Sequence, residues 1–178
     1  LPQDLYGTPA GSSRDLSVHE SQSRLWENHV FKSRNFQEYL LPELKEIFPD
    51  QLNGSSVEEA YKSLYRIDPD NLIRINADEL TYHLHIIIRF ELERDLVNGD
   101  LEVENLSQAW DDKYEKYLGI SADSELKGVL QDIHWYQGSI GYFPTYSLGS
   151  VLSAQIYKRA DEEIDNLGEK ISNGELKT

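Results

Sequence analysis

The chain has 178 residues, with 17 Lys plus Arg against 32 Asp plus Glu and a formal charge of −15 at pH 7. That surplus repels phosphate backbones and anionic lipid surfaces, which argues against nucleic-acid binding and membrane attachment, while 39% hydrophobic and 11% aromatic residues suffice for a sizeable core. Zero Cys removes disulfides, thiolate metal sites, iron–sulfur clusters and thiol nucleophiles together, so a metal must sit on His, Asp or Glu, and the expected location is a reducing compartment, the cytoplasm.

Leu1-Pro2-Gln3-Asp4 does not look like a signal peptide, and the lack of any Met, even at position 1, reads as a segment missing upstream. Residues 1–17 are rich in Pro, Gly, Ser and Asp and read as irregular loop. Val18, Leu25, Trp26 and Val30 fit a helix over 18–33 with Ser17 as its cap. Phe36, Leu40, Leu44, Ile47 and Phe48 continue at helical spacing, but Pro42 is expected to break or restart the helix and Pro49-Asp50 to end it. After a turn over 51–55, Ser56 and Glu59 form a capping box for a helix over 56–66, with Val57, Ala60, Tyr61, Leu64 and Tyr65 on one face. Asp68-Pro69-Asp70-Asn71 is a turn signal, and Leu72-Ile73-Arg74-Ile75 alternates as a short extended segment would.

Leu80, Leu84, Ile87, Ile88 and Leu92, widened by Tyr82, Ile86 and Phe90, predict a helix over 77–97 buried on more than one side and closed by Asn98-Gly99. Its Ile86-Ile87-Ile88 is the longest aliphatic run, far below the roughly 20 residues of a spanning helix. Leu106, Ala109, Trp110, Tyr114 and Tyr117 predict a helix over 106–118 ended by Gly119. Leu126, Val129, Leu130 and Ile133 predict a short helix after Ser124, residues 138–149 are Gly- and Tyr-rich without a clear assignment, and a terminal amphipathic helix runs from Val151 to Gly168. With no internal repeat and no series of strands, the expected class is all-α, with at most a marginal β element around 72–75.

Of the five histidines, none form an i, i+4 pair on one helix, and His83 and His85 point about 200° apart. A zinc site built wholly within the chain is therefore poorly supported. Nucleotide-binding fingerprints are absent. Three stretches are chemically dense. In His19-Glu20-Ser21 the bland reading is a solvated helix turn. In Ile73-Arg74-Ile75-Asn76-Ala77-Asp78 it is an Arg74–Asp78 salt bridge at a helix start. In Gly128 to Trp135, followed by Gly141-Tyr142-Phe143-Pro144-Thr145-Tyr146, it is a core turn packed with aromatics.

In this order the three stretches resemble the His-Glu-Ser, Ile/Val-Arg-x-x-Ala-Asp and Gly-x-x-Gln-Asp-x-His-Trp signatures of the Taq-type (thermostable carboxypeptidase 1) zinc metallocarboxypeptidases, over residues 1 to about 163. Members carry H-E-x-x-H a short distance before the His-Glu-Ser motif, and none occurs here. The resemblance thus implies that residues 1–178 are a single C-terminal portion of a larger catalytic domain, a helical array of the neurolysin-like kind. It implies removal of C-terminal amino acids from peptides by a zinc-activated water, and inactivity of the fragment alone. Glu20 matches the third zinc ligand, with His19 beside the metal rather than on it. The ligand set and the general base are otherwise lacking in this chain. Arg74 matches the Arg that grips a substrate carboxylate, a task suited to a planar guanidinium. His134 and Tyr146, with Tyr142 competing for the second place, match the donors to the oxyanion. Asp132 either orients His134 or is structural, and Gln131 has no assigned role. Expected partners are peptides with a free C-terminus and a second copy in a homodimer. The reading from another class is a non-catalytic acidic helical interaction module whose cleft takes a partner helix or peptide.

Overall fold

In the computed structural model, which describes residues 3–12 and 15–177, single 3-10 turns at Gln3–Leu5 and Pro9–Gly11 occupy the expected loop, whose Leu1, Pro2, Ser13 and Arg14 lie outside the described residues. Helix α1 (Leu16–Arg24) starts earlier than its apolar spacing suggests, because Asp15 rather than Ser17 is the cap, its carboxylate accepting the Val18 N–H at 2.8 Å. From Leu25 to Phe31 the same helix widens into π-helical turns, ending with the Lys32 N–H on the Glu27 carbonyl at 3.0 Å. The extra residue per turn moves Val30 into the core.

Ser33 caps α2 (Arg34–Ile47), which runs through Pro42 instead of breaking there. A proline inside a helix costs about 3 kcal/mol. Burial of Phe36, Gln37 and Leu41 on one face, with Gln37 Nε2 donating to the Phe31 carbonyl at 2.7 Å, offsets that cost. Pro49 then opens the short α3 (Pro49–Leu52) from its first position, where its missing N–H loses nothing. The capping box forms as expected at α4 (Val57–Leu64): Ser56 N–H donates to Glu59 Oε2 at 2.8 Å and Glu59 N–H to Ser56 Oγ at 3.2 Å.

The extended segment expected over 72–75 stops at Ile73, whose backbone is extended; Arg74–Asn76 is a single 3-10 turn, and no strand occurs among the described residues. Asp78 explains why the next helix begins late. Its carboxylate accepts from the Leu80 and Thr81 N–H, the Thr81 hydroxyl and the Asp68 N–H, holding 78–81 as a turn, so α5 spans Tyr82–Asn98 rather than starting at Ala77. Gly99 and Gly119, at φ 78° and 71°, end α5 and α6 (Leu106–Leu118) in the left-handed conformation that glycine adopts without strain. The helix expected over Leu126–Ile133 does not form. Leu126, Leu130 and Ile133 are 75%, 44% and 61% exposed, so its apolar face has nothing to bury against, and the stretch folds as consecutive turns. Helix α7 (Pro144–Glu163) starts inside the Gly- and Tyr-rich stretch and stops before Gly168, where Asn166 at φ 57° precedes α8 (Leu167–Ser172).

The chain forms two compact units: residues up to Tyr65 with those from Leu148 onward, and Arg66–Ser147. In the first, Val30, Phe36 and Ile171 make a small core with Leu25, Leu40 and Tyr157. In the second, α5 packs on α6 through Ile88, Leu92, Trp110 and Tyr114, and a neighbouring cluster joins Tyr82, Ile86 and Phe143. No helix among the described residues is long and apolar enough to cross a membrane.

Two positions on α5 separate packing from propensity. Leu92 is fully buried whereas Ile87 is 40% exposed. Leu92→Ala is expected to lower the unfolding free energy by about 3 kcal/mol and Ile87→Ala by less than about 1 kcal/mol, as read from denaturant midpoints of the two variants.

Candidate active site

Four side chains from three parts of the second unit meet around one carboxylate. Arg74, 6% exposed, donates from Nε and Nη2 to Asp132 Oδ1 at 3.0 and 2.7 Å. Arg89 from the buried face of α5 donates from Nε to Asp132 Oδ2 at 2.6 Å. Gln131, the preceding residue, bridges the same two arginines: its Oε1 accepts the Arg74 N–H at 2.9 Å and Arg89 Nη2 at 2.7 Å. Its amide nitrogen donates to the Leu72 and Lys127 carbonyls. Arg89 Nη1 closes the network on the His85 carbonyl at 2.8 Å and the Tyr114 hydroxyl at 3.1 Å, and its guanidinium lies 4.5 Å from the Trp110 ring centroid. This is why 124–137 folds as turns: its polar side chains, not its leucines, are what the core takes in.

Burial pushes the Asp132 carboxyl up, but the Arg74 and Arg89 charges outweigh it and hold the group below the usual aspartate value. Burial likewise works against the charged Arg74, and the bond to Asp132 reverses the sign, leaving its pKa raised. The pairing expected between Arg74 and Asp78 is not found; Asp78 caps the turn before α5 and Arg74 turns to Asp132. Among the described residues the Arg74 hydrogen bonds leave Nη1 without a partner. The guanidinium is thus fixed by its Nε/Nη2 edge and has its Nη1 side remaining.

The guanidinium lies against aromatic rings, its carbon standing 4.9 Å from the Tyr146 ring centroid and 5.9 Å from that of Phe143. The Tyr146 hydroxyl and His134 Nε2 are 2.9 Å apart. Tyr142 packs its ring 5.3 Å from the His134 ring, but the hydrogen bond to His134 comes from Tyr146, which favours Tyr146 over Tyr142 as its polar companion. His134 Nδ1 is buried, with no hydrogen-bond partner among the described residues, and Asp132 Oδ1 stands 3.9 Å away. Asp132 is therefore near His134 but bonded to the arginines. Burial first, then the Arg74 charge, lowers the His134 pKa and keeps the imidazole neutral near pH 7.

Glu20 belongs to the first unit, on α1, between exposed His19 and fully buried Ser21. Its side chain lies against Gly149 of α7: a Cβ at that glycine would stand 3.0 Å from Glu20 Cγ and 3.1 Å from its Cβ. A glycine inside a helix, where it costs about 1 kcal/mol relative to Ala, thus gives the carboxylate stem its seat. A carboxylate is a fitting ligand for zinc. Among the described residues, however, no three His, Asp or Glu side chains group so as to hold a metal.

The sequence reading did not single out Arg89, His85 or Tyr114. Their signal was present as polar residues on the apolar face of a helix: Arg89 and His85 are fully buried, as is Tyr114. His85 Nδ1 lies 3.0 Å from the Tyr114 hydroxyl, and His83, on the other side of α5 as the spacing implied, has Nδ1 2.9 Å from Ser147 Oγ.

The family model for carboxypeptidase Taq (M32) metallopeptidases matches residues 1–178. Thermostable carboxypeptidase 1 of Thermus thermophilus is 43% identical over 176 residues, 99% of this chain and 34% of that protein. Thermostable carboxypeptidase 1 of Pyrococcus furiosus is 43% identical over 169 residues, 95% of this chain and 34% of that one. The crystal structure of the M32 carboxypeptidase from Deinococcus radiodurans superposes with a TM-score of 0.88 at 46% identity, covering 96% of this chain and 34% of that one. The chain spans about a third of the length of these relatives.

The buried network makes stability depend on pH in a window set by His85. Burial and the Arg89 charge lower its pKa from 6.5 to about 4, so the folded state holds it neutral. The unfolded chain binds the proton first, and the contribution, about 3 kcal/mol, is complete above pH 6.5 and lost as pH falls toward 4. Urea melts of the protein between those pH values are expected to show the decline, and His85→Gln is expected to flatten it.

Proposed function

The chain belongs to the carboxypeptidase Taq (M32) metallopeptidase family, and from that premise we propose that residues 1–178 form the C-terminal portion of the catalytic domain of a metallocarboxypeptidase that trims peptides from a free C-terminus. The observation that carries this reading is the Arg74 guanidinium, anchored on Asp132 along one edge and lying against the ring of Tyr146, which is hydrogen bonded to His134. An exopeptidase must tell a terminal carboxylate from an internal peptide bond. A buried arginine held in one orientation is suited to that, because both its charge and its fork discriminate.

In this reading the Nη1/Nη2 side of Arg74 takes the substrate carboxylate. His134 and Tyr146 donate to the oxygen of the scissile carbonyl as it gains negative charge, an interaction stronger in the transition state than in the bound substrate. The lowered His134 pKa suits this, since a neutral imidazole with its proton on Nε2 can donate without carrying a permanent charge. Glu20 is the one metal ligand of this chain, completed by ligands that the chain lacks, and zinc is the metal proposed, its chemistry being to polarise the attacking water. The chain by itself is proposed to be inactive, the whole enzyme to work as a homodimer in the cytoplasm.

Three variants of the whole enzyme test the assignment. Arg74→Ala is expected to lower kcat/KM by about a hundredfold on peptides with a free C-terminus and to spare binding of C-terminally amidated analogues; equal losses on both would make Arg74 structural. Tyr146→Phe is expected to lower kcat by about ten- to a hundredfold with KM nearly unchanged, whereas Tyr142→Phe leaves kcat within about threefold. Glu20→Ala is expected to abolish stoichiometric metal, measured by elemental analysis; full metal content in that variant rejects Glu20 as a ligand.

A further inference from the structure

In the interior of the second unit two cations share one anion. Arg89 is fully buried and Arg74 nearly so, and both bond Asp132, one to each oxygen. Glu93 is the other buried carboxylate of the unit, and it is occupied elsewhere. It accepts from Trp135 Nε1 at 2.9 Å and the Gly141 N–H at 2.6 Å, and it pairs with neither arginine among the described residues. Gln131 Oε1, a neutral acceptor, joins the Arg74 backbone N–H to the Arg89 guanidinium. Asp132 therefore divides a single negative charge between two guanidinium groups.

Among the described residues only one of the two guanidinium groups has a nitrogen left for a ligand. All three Arg89 nitrogens are engaged, by Asp132, Gln131, Tyr114 and the His85 carbonyl, so Arg89 touches no ligand. Arg74 has Nη1 remaining. If Asp132 faced Arg74 alone, the two would form a neutral pair, and Arg74 would offer an incoming ligand hydrogen bonds but no net charge. By holding Oδ2, Arg89 divides the aspartate charge. An anion arriving at Arg74 then meets a guanidinium whose charge Asp132 offsets only in part, in a site where burial strengthens the attraction.

We infer that Arg89 is a positioning residue that sets the preference for an anionic C-terminus: it keeps Arg74 both fixed in direction and short of neutralisation. This rests on the reading of Arg74 as the carboxylate clamp. It assigns to a residue that never meets the substrate the task of telling a terminal carboxylate from a terminal amide.

The test compares N-acetylphenylalanine with its amide as competitive inhibitors of the metal-loaded whole enzyme. Arg89→Gln is expected to raise Ki for the acid by about tenfold or more while the amide stays within about twofold, and Arg89→Lys, which keeps the charge, is expected to retain the preference within about threefold. If Arg89→Gln does not fold, Gln131→Glu carries the same expectation by a different route. It keeps both arginines and Asp132 and puts a second carboxylate on the Arg89 guanidinium, releasing the Asp132 charge to Arg74 at the cost of the two bonds the amide gives to the Leu72 and Lys127 carbonyls, so the acid is again expected to lose about tenfold against the amide. Acid and amide changing together in the variants that fold, or an unchanged ratio, overturns the inference. Arg74→Ala separates the two failures: loss of the acid preference there without loss in Arg89→Gln or Gln131→Glu overturns the role of Arg89 alone, and an unchanged preference in Arg74→Ala overturns the clamp reading itself.

Discussion

The second unit depends on Asp132. One carboxylate, 58 residues from Arg74 and 43 from Arg89, ties the 3-10 turn after the first unit, the buried face of α5 and the turns before α7 into one structure. Breaking a buried pair by removing one partner leaves a charge without compensation, which costs far more than the pair itself contributes. Gln131 repeats the tie with a second pair of bonds to the same arginines, so the directions of Arg74 and of the backbone leading to His134 are set together. A site assembled on turns is usually loose. Here two consecutive side chains, both directed inward, replace the regular hydrogen bonding that a helix would have supplied.

This arrangement also explains where sequence periodicity misleads. Leu126, Val129, Leu130 and Ile133 have helical spacing, yet three of the four are exposed and the backbone turns instead. Periodicity locates a helix only when the apolar face is what the core takes in. Between Lys127 and His134 the core takes in Gln131 and Asp132, whose bonds require a conformation other than α. The same override acts at Asp78, whose carboxylate gathers four donors and delays the start of α5, and at Pro42, which the buried face of α2 carries through the helix.

Where local chemistry and packing agree, the chain was legible. The Ser56/Glu59 box, the Gly99 and Gly119 stops and the all-helical class follow from short-range rules, and all are found, whereas α5, expected to be buried on more than one side, buries one broad face and leaves Ile87 and Phe90 exposed. The family could be read from three short motifs because each packs several chemically costly residues into a few positions, and the match over residues 1–178 bears that out. The partner of Arg74 was not legible. Asp78, four residues away, was the local choice; Asp132 wins because Asp78 is already saturated by backbone donors and Asp132 comes with Arg89 and Gln131 attached. Arg89 itself was hidden because a cation on an apolar helix face has no periodic signature, only its partners, and those lie far along the chain.

The two arginines act on the histidines as well as on Asp132. Their charges depress the pKa of both His85 and His134, adding to burial, so that each imidazole is neutral at neutral pH and His85 stays so down to about pH 4. For His85 this protects the packing of α5 on α6, since a protonated ring against Tyr114 would place a third cation beside Arg89. For His134 the consequence reaches the surface of the cluster. A protonated His134 would add a further cation beside two arginines that share one aspartate and would compete with Arg74 for the same anion. The neutral ring can instead hydrogen bond to Tyr146 and leave the guanidinium as the single cationic feature beside that pair. Charge selection at Arg74 and dipolar donation at His134 are separated by the same two arginine charges, which is why the two can stand side by side without one performing the work of the other.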